Sequence, residues 1–529
     1  MDPIGEYPAA HLLLERASRP RELSRREAAA VAEVVTRLDG LPLAIELAAT
    51  KLRWVPAEEL ARSMRERLSL LYGPNRAAPA RQRSLESAIA WSHDLVSESE
   101  RVVLRRLAVF PGSFDAAAAE AVAGGYGLTH AAGLPALASL VQASLLAVQH
   151  ERATTRYRLL QTVRVYARER LRQAGEQDGT ARRHRDAYLG IAGAVGRNMR
   201  GPGLPVWLPR ARREHENLQA ALHWSLERGD AAEALQLAAH IWWYWFRVGN
   251  VAEGRALLER ALLAAAPTSP LRHMALLGRA FLAHAAGTSD ALPVARASVA
   301  ACNAAGGDWP LGYALCMEAR ALTEHGRLER ARAAIARAQS LFDATGEQEG
   351  IAFADQLLGG VHLRAGQLDA AERLLLSARE RFRRLRGDLD AGYTLIDLAR
   401  VALAQRRPSD ATEHATQALV DFRRRGDPRG VSGALLCLGR ANGLLGDEER
   451  ARPLLDEALA LARRWGYPVN AAEAESALAR LTTSARLGVG GEEPELGARV
   501  EALGAHDVAA LPGVGEQRDG DVRVAEKLR

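Results

Sequence analysis

In the carboxyl-terminal half of the chain, apolar residues return every three to four positions, in stretches such as AERLLLSARERF and ARPLLDEALALARRW. That spacing loads one face of an α-helix. The helical stretches are punctuated in step. GRLERA at 326–331, GQLDAA at 366–371, RPSDAT at 407–412 and GDEERA at 446–451 bring an alanine to Ala331, Ala371, Ala411 and Ala451. A second mark falls at Gly306, Gly346, Gly426 and Gly466, with Arg386-Gly387 in the remaining slot. Two features sharing a forty-residue period predict a tandem array of helix pairs, each helix closed by a glycine in the left-handed conformation. More divergent copies lie at 249–262 and 287–295.

The unit resembles a tetratricopeptide repeat, on the small residue, glycine turn and alanine of LLCLGRANGLLGDEERARPLLDEALALA. The resemblance implies a superhelix whose concave face binds partners. It also phases that face. The residue after each small position (Ala319, Gly359, Ala399, Gly439, Ala479) is Arg320, Gly360, Arg400, Arg440 and Arg480, and one stripe earlier stand Tyr313, Phe353 and Tyr393. An aromatic row beside an arginine row suits an acidic peptide or a partner helix. The plainer alternative pairs these arginines with local carboxylates and lets the aromatics fill gaps between repeats. The block Trp242 to Phe246 has the same two readings, packing of the first helices against the preceding domain or a ligand pocket.

Upstream the chain is not repetitive. GLPLAIELAA runs from Gly40 to Ala49 as a turn into an apolar helix. Residues 81–114 read as a helix, a Ser-Glu-Ser-Glu cap and a second helix. LPALASLVQASLLAVQH, ERATTR and YRLLQTVRVYARERL then give helix, β-hairpin and helix, the order of a winged-helix domain. With the motif AxxWSxDLVSxxERxxLRRLAVFPGSF, this succession over residues 1 to about 480 resembles the STAND or NB-ARC signalling ATPases, in particular bacterial AfsR/LuxR-type regulators with tetratricopeptide repeats. The resemblance implies that Gly40, Leu41, Pro42 and Leu43 are the vestige of a nucleotide-contacting turn, with Pro42 toward the adenine. The histidine motif of the family aligns with Leu159-Leu160-Gln161, which lacks both its histidine and its acid.

Composition narrows the chemistry. The only lysines are Lys51 and Lys527, and neither sits in a Gly-rich phosphate loop ending in Gly-Lys-Ser/Thr. No β-branched run ends in paired acids to hold magnesium. The chain is therefore expected to be non-catalytic, without cofactor or metal, and to begin where the nucleotide-binding domain of the family ends. Basic and acidic residues are interleaved at 70 and 64, and the candidate recognition helix at 134–146 carries no charge, so no direct nucleic-acid partner is expected. Three scattered cysteines and no apolar span point to a cytoplasmic protein away from membranes.

The fold expected is all-α, divided as follows: 1–75 an ARC-like helical subdomain, 76–175 a winged-helix domain with a small β-hairpin, 176–265 a helical connector and first divergent repeat, 266–484 an α-solenoid of tetratricopeptide-like repeats, and 485–529 a mostly disordered tail. The function expected is a regulatory scaffold that binds a protein or peptide through its repeats. The alternatives are a nucleotide-dependent transcriptional regulator completed by another chain, and a sensor of a small-molecule inducer.

Overall fold

The structure is a computed structural model. It describes residues 8–18, 23–38, 45, 48–49, 52, 55–66, 89, 93, 96–124, 133–143, 145–151, 154–200, 203–385, 388–425 and 427–487. Gly40 to Leu43 and nearly all of the tail at 485–529 lie outside these residues. The chain divides into two units, residues 1–192 with 209–233 and residues 193–208 with 234–529.

In the first unit α1 (Pro8–Ala17), α2 (Arg25–Arg37) and α3 (Ala57–Glu66) precede α4 (Glu98–Leu107), α5 (Ala116–Ala123) and α6 (Gly133–Gln142). The Ser-Glu-Ser-Glu stretch caps α4 as the sequence predicts: Ser97 N donates to Glu100 Oε2 at 2.7 Å, and Glu100 N to Ser97 Oγ at 3.4 Å. The hairpin follows as β1 (Ala147–Glu151) and β2 (Thr154–Arg158), antiparallel, with Ala147 opposite Arg158. Then come α7 (Gln161–Gln173), α8 (Gln177–Asn198) and α9 (Leu204–Arg228). Helix α5 has no counterpart in the sequence reading; its AAAAEAVA offers no apolar period, and Asp115 starts it by accepting from Ala118 N at 2.8 Å.

Arginines of this unit are spent on structure. Arg106 donates to Ala123 O at 2.8 Å, Arg183 to Val122 O at 2.8 Å and Arg168 to Ala108 O at 3.0 Å, so they satisfy carbonyls at the carboxyl ends of α4 and α5. Arg156 of β2 is sealed against Glu214 of α9 at 2.5 Å, and Tyr188 donates to the other oxygen of that carboxylate at 2.9 Å. His184 lies edge-on to Phe110 at 5.1 Å and beside Tyr188 at 4.5 Å.

The second unit is the predicted array of helix pairs: α10 (Ala231–Val248), α11 (Val251–Ala264), α12 (Arg272–Ala286), α13 (Ala291–Ala305), α14 (Asp308–Glu324), α15 (Leu328–Thr345), α16 (Gln348–Arg364), α17 (Leu368–Arg384), α18 (Asp388–Ala404), α19 (Pro408–Arg425), α20 (Pro428–Leu444), α21 (Glu448–Trp465) and α22 (Pro468–Leu487). From α12 on, first helices (α12, α14, α16, α18, α20, α22) pack on the first helix of the next pair, which places them on the inner side. The alanine mark is a packing position: Ala331, Ala371, Ala411 and Ala451 are all fully buried. A further ladder of the same period, Phe342, Phe382 and Phe422, fills the space between pairs. Glycine makes room for it. A Cβ on Gly350 would lie 2.5 Å from Phe342, and one on Gly430 2.3 Å from Phe422.

The turn between the two helices of a pair takes positive φ at Gly326, Gly366 and Gly446 (69°, 74° and 78°), and the pair without glycine holds Arg406 at 56°. A side chain there costs about 1–2 kcal/mol, partly offset by the greater freedom glycine has when unfolded. Arg406→Gly should therefore raise stability by about 0.5–1 kcal/mol and Gly366→Ala should lower it by about 1 kcal/mol. Urea unfolding followed by circular dichroism reads both; a destabilised Arg406→Gly chain contradicts the assignment.

Burial lowers His184 to about 3, against 6.5 for an exposed imidazole. The folded chain holds it neutral, so its contribution is intact above pH 6.5 and drains away as pH falls from 6.5 toward 3. Between pH 7.5 and 5.5 the wild type should lose about 1.4 kcal/mol more than His184→Phe does. Parallel unfolding curves at the two pH values measure the difference, and equal losses would exclude His184 as the titrating group.

Candidate functional site

The inner side of the second unit is built from the first-helix stripe that the sequence phases, together with residues it does not reveal. Tyr313 and Phe353 do come together, with ring centroids 5.9 Å apart, and Phe281 joins them at 6.2 and 6.0 Å. Trp243 extends the row, 5.0 Å from Phe281 and 5.5 Å from Tyr313. Tyr313 is only 2% exposed. The reading of Tyr313 as a groove contact is thus corrected: it fills the interior between α10, α12 and Phe342 (5.0 Å). The aromatic block on α10 packs onto the following pairs, since a Cβ on Gly278 would meet Trp242 at 2.4 Å and one on Gly254 would meet Trp245 at 2.9 Å.

At the carboxyl end of the same helix, Arg247 is buried, with its side chain 1% exposed. It donates to Glu349 Oε1 at 2.9 Å and to Asp390 Oδ2 at 2.6 Å, at the starts of α16 and α18. The array therefore curls back on itself. After α10, Gly249 lies against Tyr467 and Pro428; after α12, a Cβ on Gly287 would be 2.8 Å from Pro468 Cγ. The first and last pairs thus meet across the concave face, or lumen, of the array. Sequence reasoning missed Arg247, Glu349 and Asp390 because they meet across 102 and 143 residues and belong to no repeat position.

The arginine row lines this lumen unevenly. Arg320 donates Nη1 to His284 Nε2 at 2.9 Å and lies 5.8 Å from the Phe353 ring. Arg400 is 3.6 Å from both Asp397 and Glu473, and the charge of Glu473 favours its ionised form. Arg440 is partly exposed, with no hydrogen bond or ion pair among the described residues. Arg480 is exposed and turns back to Ser476 on its own helix, which removes it from the row. Tyr393 is half-buried and donates to Asp427 at 2.8 Å; Arg429, absent from the predicted set, sits over its ring at 4.7 Å. The plainer reading, local pairing, holds for Arg400, with Asp397 on its own helix, while Arg480 meets Ser476.

The winged-helix unit presents less. The faces of α6 that remain exposed carry Pro135, Ala138 and Gln142, and Arg156 of the hairpin is locked to Glu214.

Residues 96–172 match the winged helix-turn-helix domain family and residues 351–420 the tetratricopeptide repeat family. A Mycobacterium tuberculosis protein described as an HTH-type transcriptional regulator, Rv0890c, is 42% identical over 249 residues, 46% of this chain and 28% of the relative. The regulatory protein AfsR of Streptomyces griseus is 34% identical over 122 residues, 23% of this chain and 12% of AfsR. A STAND protein with a tetratricopeptide repeat sensor from Pyrococcus horikoshii aligns over 89% of this chain and 73% of its own, at 13% identity and a TM-score of 0.33. The chain spans less than a third of the length of these two sequence relatives. It carries a winged helix-turn-helix domain followed by tetratricopeptide-like repeats, and it is homologous to proteins described as transcriptional regulators.

Removing one partner of a buried ion pair strands the other, so Arg247→Ala should cost about 3–5 kcal/mol, whereas Arg247→Met with Glu349→Gln and Asp390→Asn should recover most of it. Urea unfolding monitored by fluorescence of the tryptophan block on α10 measures both. A loss below about 1 kcal/mol in Arg247→Ala would mean the link is not made in solution.

Proposed function

We propose that this chain is the non-catalytic regulatory scaffold of a STAND-type transcriptional regulator, and that it engages a protein or peptide through the lumen of its repeat superhelix. The observation that carries this reading is the placement of the part-exposed Arg400 and Arg440 on first helices, the ones that form the inner side of the array. Pre-formed concave surfaces of stacked helix pairs favour extended or helical ligands, because the receptor side loses little entropy on binding. The relatives described as transcriptional regulators support the regulatory role, and the further length of those relatives leaves room for the parts that act on DNA.

The non-catalytic part of the proposal rests on chemistry. A phosphate loop needs a lysine beside Gly and Ser or Thr, and neither Lys51 nor Lys527 has those neighbours. The uncharged exposed face of α6 supports a structural or relay role for the winged helix over base reading, which draws on arginine, asparagine and other polar side chains at the groove.

Two measurements on the full chain test the proposal. In partner capture, Arg400→Glu/Arg440→Glu should reduce recovery about tenfold or more, the size expected for reversing charges inside a contact, while Arg330→Glu/Arg373→Glu on the exposed side of α15 and α17 leaves it unchanged. Equal recovery by both pairs refutes the lumen as the binding surface. Calorimetric titration with millimolar ATP or ADP should give no saturable heat; a saturable isotherm would favour the nucleotide-dependent reading instead.

A further inference from the structure

Three guanidinium groups of the inner side, Arg320, Arg429 and Arg440, have no carboxylate at ion-pair distance among the described residues. Arg320 has one hydrogen bond, to an imidazole, and no carboxylate at ion-pair distance among the described residues. His284 accepts that bond on Nε2 and presents Nδ1 to Glu324 at 3.1 Å, so Glu324 is already engaged. Arg429 donates Nε to Tyr393 Oη at 3.1 Å and lies 4.7 and 5.5 Å from the Tyr393 and Phe246 centroids; burial opposes its charge, Tyr393 and Asp427 favour it, and its terminal nitrogens have no acceptor among the described residues. Asp427, its nearest carboxylate in sequence, takes the Tyr393 hydroxyl and caps α20 through the amides of Arg429 and Gly430. Arg400 reaches Asp397 and Glu473 only at 3.6 Å, and Asp397 holds Gln356 at 2.7 Å with its other oxygen. Arg440 has no acceptor among the described residues.

Arg320, Arg400 and Arg429 lie close enough to act on one another, and Arg440 and Arg400 both act on Cys437. Burial lowers Arg320, the like charges of Arg429 and Arg400 add to that effect, and Asp397 and Glu324 only partly oppose it. An uncompensated guanidinium surrounded by protein is costly, and such groups normally sit against an anion. The side chains of Arg320, Arg400, Arg429 and Arg440 are part-exposed, which leaves a partner access to them. Planar guanidinium donors match carboxylate and phosphate oxygens.

We propose that Arg320 and Arg429, flanked by Arg400 and Arg440, form an oxyanion-binding site in the lumen of the repeat superhelix, for a carboxylate or phosphate group carried by a free small anion or by an acidic residue of a bound peptide. The site stands on the guanidinium nitrogens of Arg320 and Arg429 that no oxygen of the described residues takes up, and it does not require that the partner be a protein.

The test is isothermal titration of the full chain at constant ionic strength with inorganic phosphate, with succinate and with a glutamate-rich decapeptide. At least one probe should bind saturably. Arg320→Gln and Arg429→Gln should each weaken it at least tenfold, and Arg480→Gln should leave it unchanged. Phosphate or succinate binding identifies a free anion as the source; binding by the decapeptide alone identifies an acidic peptide. Without added anion, Arg320→Gln should melt at or above the wild-type temperature, because it removes an uncompensated charge. No saturable binding by any probe, equal binding in the glutamine variants, or a markedly lower melting temperature for Arg320→Gln overturns the proposal. Each of these outcomes is separate from loss or retention of partner capture by the Arg400→Glu/Arg440→Glu chain.

Discussion

A buried guanidinium sets the geometry of the repeat unit. Arg247, at the end of α10, spans the interior to reach the starts of α16 and α18, three and four helix pairs further along. Sealing such a charge away from water is costly, and two close carboxylates with direct hydrogen bonds are what make it tolerable. Apolar contacts would have held α10 against its neighbours at many rotations. Two directed bonds fix one, and that one brings Gly249 and Gly287 against Pro428 and Pro468. The curvature that turns a stack of helix pairs into a lumen is thus tied to a polar contact in its middle.

What was legible in the sequence was local. The forty-residue period could be read because a left-handed turn selects glycine, and the selection repeats at Gly326, Gly366 and Gly446 with one lapse at Arg406. The cap at Ser97 and the hairpin between Glu151 and Thr154 could be read for the same reason, since each is decided within a few residues. The phase of the first helices was legible too, and it placed Arg320, Arg400 and Arg440 on the inner side. What could not be read was how far the interior is filled. Whether Tyr313 lies open or enclosed depends on Trp243 and Phe281, which come from other repeats. The Phe342, Phe382 and Phe422 ladder was periodic and visible in principle. Its meaning appears only with the glycines opposite, which lie on neighbouring helices.

The chain uses almost one kind of cation, and the two units use it differently. In the winged-helix unit, arginines end on helix carbonyls or on Glu176 and Glu214, where a forked donor can satisfy several acceptors at once. Those residues are unavailable to phosphates, and the exposed positions of α6 add no charge. A net positive chain is therefore a poor guide to a nucleic-acid partner when its cations are committed to holding helix ends. The relevant quantity is the charge left over once internal acceptors are counted.

Counted in that way, the inner side of the second unit stands out because its unpaired guanidinium groups are only part-exposed. Elsewhere in the second unit, several arginines find carboxylates within a turn or on an adjacent repeat, as Arg407 does with Glu372 and Arg423 with Glu457, at modest gain because water competes. On the inner side, Arg320, Arg429 and Arg440 lack such partners although desolvation makes pairing worth more there. At Arg320, where burial disfavours the charge and the like charges of Arg429 and Arg400 add to it, a glutamine would suit the folded scaffold better. The presence of these arginines in a partly solvated interior is the arrangement expected when the compensating charge belongs to a ligand, and when stability is given up in the empty state so that binding restores it.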